Sequence, residues 1–151
     1  MKKIKRIALV AHDNQKKDIV DWVKRNANIL SGHKLICTGT TGRLILEMFD
    51  KTHPGKKIDM TLLKSGPLGG DQQLGAMICN QEIDFLIFLT DPMTPQPHDV
   101  DVKALVRVAV IYNIVMACNL ASADFAINST LFNADYTPES QDYNQYITRS
   151  W

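Results

Sequence analysis

"RIALVAHDNQKKDIVDWVKRNANIL", residues 6–30, decides the fold. Arg6 to Ala11 is a short apolar run, the length and composition of a buried strand. A polar stretch with His12, Asp13 and Lys16 follows. Ile19, Val20, Val23, Ala27 and Leu30 then recur at helical spacing, which predicts one helix over 17–30. Strand, polar loop and helix make one α/β unit, and the chain repeats it. "HKLICT" (33–38), "MTLLK" (60–64), "FLIFL" (85–89) and "IVMAC" (114–118) read as further strands. "RLILEMF" (43–49), residues 70–80, "VKALVRVAVIYN" (102–113) and "SADFAI" (122–127) read as helices between and after them. Apolar strands separated by helices require a sheet covered on both faces, and such sheets are parallel. The expected fold is therefore α/β: a single-domain, doubly wound sheet of about five parallel strands with helices on both faces, spanning residues 1–151.

Composition narrows the function classes. At 151 residues the chain suits one domain. A net charge of +1 provides no global field for nucleic acid or an anionic membrane, so neither is an expected partner. No stretch approaches the roughly 20 apolar residues of a membrane span. The basic, apolar N-terminus breaks at His12-Asp13, too early for a signal peptide. Three cysteines, Cys37, Cys79 and Cys118, lack metal or redox spacing. They read as buried free thiols in a reducing cytoplasm.

In a doubly wound sheet, ligands bind beyond the C-terminal ends of the strands. "TGTTG" (38–42) follows the second strand and opens a helix. Its hydroxyls, glycines and helix N–H groups suit an oxyanion such as phosphate, with Lys16 on the same edge. A threonine N-cap without a ligand is the plainer alternative. The nucleotide-binding glycine patterns are absent. "SGPLGGDQQ" (65–73) follows the third strand. Asp71 could merely complement a helix dipole. A dipole partner needs no preceding glycine turn, however, so Asp71 reads as a general base aimed into a cleft. "TDPMTPQPHDVD" (90–101) follows the fourth strand. Its His98 reads as a group that polarises a carbonyl. Asp91 and Asp101 read as orienting groups, or Asp101 as a cap for a helix starting near Val102. His33 and His53 read as ordinary exposed loop residues. Lys64-Ser65 and Cys118-Asn119 at the ends of strands three and five exclude a response regulator.

From about Ile4 to Phe132 the chain resembles the methylglyoxal synthase family. "LVAHD", "TGTTG", "SGPLGGDQQ" and "DPMTPQPHDVDVKAL" match its signature segments in order. The resemblance implies conversion of dihydroxyacetone phosphate to methylglyoxal and phosphate through an enediolate. It implies no metal or organic cofactor, a homohexamer, and inhibition by inorganic phosphate. It makes Asp71 the catalytic acid/base. Thr38, Gly39, Thr40 and Thr41 become the phosphate cradle, with Lys16, Ser65 and Gly66 beside it. His12 and His98 contact substrate, and Asp91 and Asp101 line the site. The proton to be abstracted is expected on the ester-bearing carbon. The family usually has an arginine near the C-terminus that is implicated in communication between subunits; here the tail departs from the pattern, and "DYNQYITRSW" (142–151) offers Arg149, with Asp13 as its candidate partner. Two other readings stand beside the enzyme: a regulatory domain that binds phosphate groups without reaction, and a phosphate-binding structural subunit. Asp71 together with His98 and Asp101 favours the enzyme.

Overall fold

Alternation along each strand builds two cores. Ile7, Leu9, Ala11, Leu35, Cys37, Phe85, Ile87 and Leu89 face one side of the sheet, and Ala8, Val10, Ile36, Leu86 and Phe88 face the other. The computed structural model describes residues 3–139 and 141–149. Met1, Lys2, Ser140, Ser150 and Trp151 lie outside the described residues, and with them the ends of the N-terminal and tail stretches read above.

Five strands, β1 (Arg6–Ala11), β2 (Lys34–Cys37), β3 (Asp59–Leu62), β4 (Phe85–Leu89) and β5 (Val115–Ala117), form one parallel sheet ordered β3-β2-β1-β4-β5. The order reverses between β1 and β4, where Ala11 lies beside Leu89. Successive crossovers therefore leave on opposite faces and open a crevice there. The helices are α1 (Lys16–Arg25), α2 (Ala27–Leu30), α3 (Gly39–Thr52), α4 (Gly70–Cys79), α5 (Asp99–Ile111), α6 (Leu120–Asn128), α7 (Thr130–Asn133) and α8 (Asn144–Ile147). Residues of α1, α2, α3, α6 and α7 cover the first face, with Trp22, Phe49 and Phe132 fully buried. Leu74 and Ile78 of α4 and Val102, Leu105 and Ala109 of α5 cover the second. Each fully buried Leu, Ile or Phe contributes roughly 1.5–3 kcal/mol of transfer free energy.

Several expectations change. The helix expected over 17–30 breaks at Asn26, which leaves helical geometry (φ −104°, ψ 16°) and whose side-chain amide joins its own backbone N–H on the Trp22 carbonyl. The second helix starts at Gly39 rather than 43 and runs on past 49 to Thr52. The helix expected over 102–113 starts at Asp99, so Asp101 sits in its first turn and does not cap it. Cys79 is exposed, not buried, because the apolar stripe of α4 is carried by Leu74 and Ile78. His33 is half-buried: its Nδ1 accepts the Lys5 N–H at 3.1 Å and its ring packs edge-on to Phe132. His53 is half-buried as well, tilted against Phe49. Among the described residues, no helix is long and apolar enough to cross a membrane.

Candidate active site

A cleft of about 280 Å³ lies at the carboxyl ends of β1, β2 and β4. It is built from four loops. His12, Asp13 and Lys16 come from the turn after β1, and Thr38, Thr40 and Thr41 from the start of α3. Ser65, Gly66 and Asp71 come from the turn before α4, and His98 from the loop before α5. All ten are sequence-selected residues brought together from positions up to 86 apart in the chain.

The turn before α4 shows how the sequence aims a carboxylate. Pro67 and Leu68 run through a short 3-10 turn, and Gly69 closes it at φ +103°, where only glycine is unstrained. A side chain at Gly70 would collide with the Lys64 carbonyl. Asp71 then falls in the first turn of α4, and it is 3% exposed. Neither carboxylate oxygen has a hydrogen-bond partner, so Asp71 caps nothing. His98 Nε2 approaches Oδ2 at 3.4 Å. Gly66 packs over this pair. A Cβ at Gly66 would sit 2.9 Å from His98 Nε2 and 3.4 Å from both Asp71 oxygens, so the absent side chain keeps the gap open. Burial pushes the Asp71 carboxyl above its usual range; His98 pulls it down in part, and Asp101 pushes it up.

His12 is held differently. Its Nδ1 accepts the Asp91 N–H at 2.9 Å, so the neutral ring carries its proton on Nε2. Nε2 is buried without a protein partner and belongs to a cleft-lining residue, so it is a donor available to a ligand. Burial holds the His12 pKa below the usual imidazole value, and neighbouring His98 adds to the effect. The His12 and His98 rings meet edge to face, with centroids 5.9 Å apart.

Thr38 is the N-cap residue of α3, but its side chain makes no capping bond. The plainer reading of "TGTTG" as a side-chain cap therefore fails. Thr41 Oγ1 is buried and unpartnered. Lys16 Nζ bonds the Ala11 carbonyl at 3.1 Å and Asp13 Oδ1 at 2.7 Å, and this pairing holds the Asp13 carboxyl below its usual range. Cation, hydroxyls and a helix N-terminus thus meet on one wall, the ingredients of an anion site.

Four selected residues do not line the cleft. Gly39 lies behind it, where a Cβ would press 3.2 Å from the Leu63 carbonyl. The Asp91 carboxylate turns away to Asn14 and its own loop, and those bonds hold its pKa low. Asp101 shares a separate small depression with Asp71, Gln72 and Gly75. Arg149 lies over the Tyr146 ring at 3.8 Å, while Asp13 pairs within the chain with Lys16. Pro67, Gln96 and Pro97 also line the cleft and were not selected. The prolines flanking Gln96 were the available signal. Among the described residues, no three His, Cys, Asp or Glu side chains gather as a metal-ligand set.

A parallel α/β sheet whose switch-point cleft gathers an acid, two imidazoles, a lysine and threonine hydroxyls falls in the MGS-like domain class; a model of that domain matches residues 18–118. The methylglyoxal synthase of Coxiella burnetii (strain Dugway 5J108-111) is 49% identical over 146 residues, 97% of each chain. That of Maridesulfovibrio salexigens is 51% identical over 157 residues, 99% of each chain. The crystal structure of methylglyoxal synthase from Elizabethkingia anophelis NUHP1 superposes with a TM-score of 0.90 at 47% identity, covering all of this chain and 95% of that one. The chain belongs to the methylglyoxal synthase family, and with it to the lyases that make methylglyoxal.

Proposed function

We infer that the protein converts dihydroxyacetone phosphate to methylglyoxal and inorganic phosphate, with Asp71 as acid/base and His98 and His12 as carbonyl-polarising donors. One observation carries the reading. Among the described residues, all five buried side-chain polar atoms without a partner belong to His12, Thr41, Asp71 and His98. Buried polar groups are otherwise nearly always paired, so the partners of these five are supplied by a ligand. That ligand must have a carbonyl or hydroxyl for the imidazoles, a proton for the carboxylate and an anion for the threonine wall.

Electron flow corrects the expected site of proton loss. Removing a proton from the ester-bearing carbon would give an enol phosphate, which has no path to expel the ester. The Asp71 carboxylate instead takes a proton from the hydroxymethyl carbon. The C–H electrons form a double bond to the carbonyl carbon, and the charge moves to oxygen, where the imidazole donors stabilise it. The enediol hydroxyl then passes its proton, through an imidazole, to the charged enolate oxygen, and its own oxygen becomes that of an aldehyde. The double bond shifts towards the ester carbon, the C–O bond breaks, and the proton held by Asp71 passes to the departing phosphate. The enol product takes up a proton on carbon to become methylglyoxal. Thr38, Thr40, Thr41, Ser65, Gly66 and Lys16 hold the leaving group so that its C–O bond stands perpendicular to the enediolate plane. Asp101 tunes Asp71 through its charge, and Asp91 supports His12.

The reading treats residues 1–151 as one domain, working in the cytoplasm without metal or organic cofactor, as a homohexamer with Asp13 and Arg149 communicating between subunits. Val100 and Val110, 74% and 61% exposed on α5, support association. The test is the purified chain with dihydroxyacetone phosphate. Methylglyoxal and phosphate are expected in equal amounts, with inhibition by added phosphate. Glyceraldehyde 3-phosphate as product would mean that the leaving-group geometry is misread. Phosphate binding by folded protein without product would favour the regulatory-domain reading.

A further inference from the structure

The donor state of His12 depends on one backbone N–H, that of Asp91, staying aimed at Nδ1. That N–H belongs to the loop after β4. The Asp91 carboxylate folds back on the same loop, where Oδ1 accepts the N–H groups of Met93 at 3.0 Å and Thr94 at 3.3 Å. Oδ2 accepts the side-chain amide of Asn14 at 2.8 Å. The same amide lies 3.3 Å from Thr94 Oγ1. Only the nitrogen of the amide can face a carboxylate, so the orientation of Asn14 is determined. Asn14 follows β1 and Asp91 follows β4, two loops that leave adjacent strands at Ala11 and Leu89. Asn14 therefore straps one catalytic loop to the other, outside the cleft itself.

We propose that Asn14 is a positioning residue: it fixes the Asp91 loop so that the Asp91 N–H holds His12 as a cleft-facing Nε2–H donor. Protonating Nδ1 would set one N–H against another, so the strap also opposes formation of the imidazolium. The ring's other charged neighbours divide. His98 and Lys16 favour the neutral ring, and Asp13 and Asp91 favour the charged one. Asp71 on α4 lies against His98 in the same cleft, Phe88 packs edge-on, and the α3 wall contributes only threonines. The tautomer lock stands on this geometry alone. Only the use made of the donor rests on the reaction inferred above.

Two variants of the full chain test it, Asn14→Ala and Asn14→Asp. The second keeps the shape and replaces the donor with a carboxylate facing Asp91. Nitrogen-15 spectra of His12 across pH report tautomer and titration without substrate. The parent should show a single Nε2–H tautomer that protonates below the ordinary imidazole range. In Asn14→Ala the tautomers should mix, and the titration should move up towards that range. With dihydroxyacetone phosphate, kcat should fall roughly tenfold with little change in KM, part of the value of an oriented donor. The acid limb of the rate profile should move to higher pH, because a neutral ring is required. Asn14→Asp should fall further. A parent ring protonated on Nδ1 overturns the proposal, and so do ring signals and pH profiles left unchanged in both variants. If the parent turns over no substrate, the spectra still decide, and the failure belongs to the inferred reaction.

Discussion

The cavity at the amino-terminal end of the sheet is the larger of the two that matter, about 770 Å³ against about 280 Å³ at the carboxyl end. Arg6, Asp84, Tyr112 and three isoleucines line it. Its buried charge is nonetheless settled. Asp84 accepts the Arg6 backbone N–H at 2.8 Å and two guanidinium bonds at 3.1 and 3.0 Å. Burial alone would raise the Asp84 carboxyl, but Arg6 overrides it and holds the group below its usual range. In the smaller cleft Asp71 is as deeply buried and has no such partner, so burial prevails there. The same side chain is thus paired at one end and left without a hydrogen-bond partner at the other, and satisfaction, not volume, separates the two.

Asp71→Asn bears hardest on this contrast. It should remove about 10²–10⁴-fold in kcat, the range for a positioned general base. It should also stabilise the fold at neutral pH. A carboxyl whose folded pKa is raised contributes stability while protonated and loses it as pH rises through that pKa. Thermal denaturation should therefore show the variant ahead of the parent at pH 7, with the gap closing as pH falls to about 4. A destabilised Asp71→Asn would mean that the carboxylate has a structural partner after all.

Thr41→Val comes next. Its hydroxyl is buried and unpaired, so deleting it should leave the melting temperature unchanged or higher. Inhibition by phosphate and kcat/KM should weaken together, each roughly tenfold, the size of a hydrogen bond to a charged group. Loss of one without the other would separate the inhibitor site from the substrate site.

Asp84→Ala should do the reverse and affect activity least. It should leave kcat/KM unchanged and cost about 1–3 kcal/mol of stability by urea denaturation. The value is moderate because the Arg6 side chain is 37% exposed and can rehydrate. A lowered folded pKa contributes stability above the usual carboxylate range and loses it as pH falls through the folded value, so the deficit should shrink in acid. A large loss of activity in Asp84→Ala would tie the two ends of the sheet together.

The sequence by itself determined the strands, their parallel sheet and most of the residues that gather in the cleft. Strand runs such as "FLIFL" must be buried on both faces whatever surrounds them, and "SGPLGGDQQ" combines a tight turn with a carboxylate that needs one. Both signals are local, carried by neighbours in the chain. Tertiary structure decided which polar atoms were left without partners. The glycine turn marks Asp71 locally, but nothing local tells that Asp84 is paired, by a residue 78 positions away, and Asp71 is not. Likewise the carboxylate of Asp91 reads as a site group in its loop, yet it turns outward to Asn14, 77 positions earlier, and leaves only its N–H to hold His12. Hydrogen bonding is short-ranged, so the partner that each group keeps is set by which strands the sheet makes adjacent.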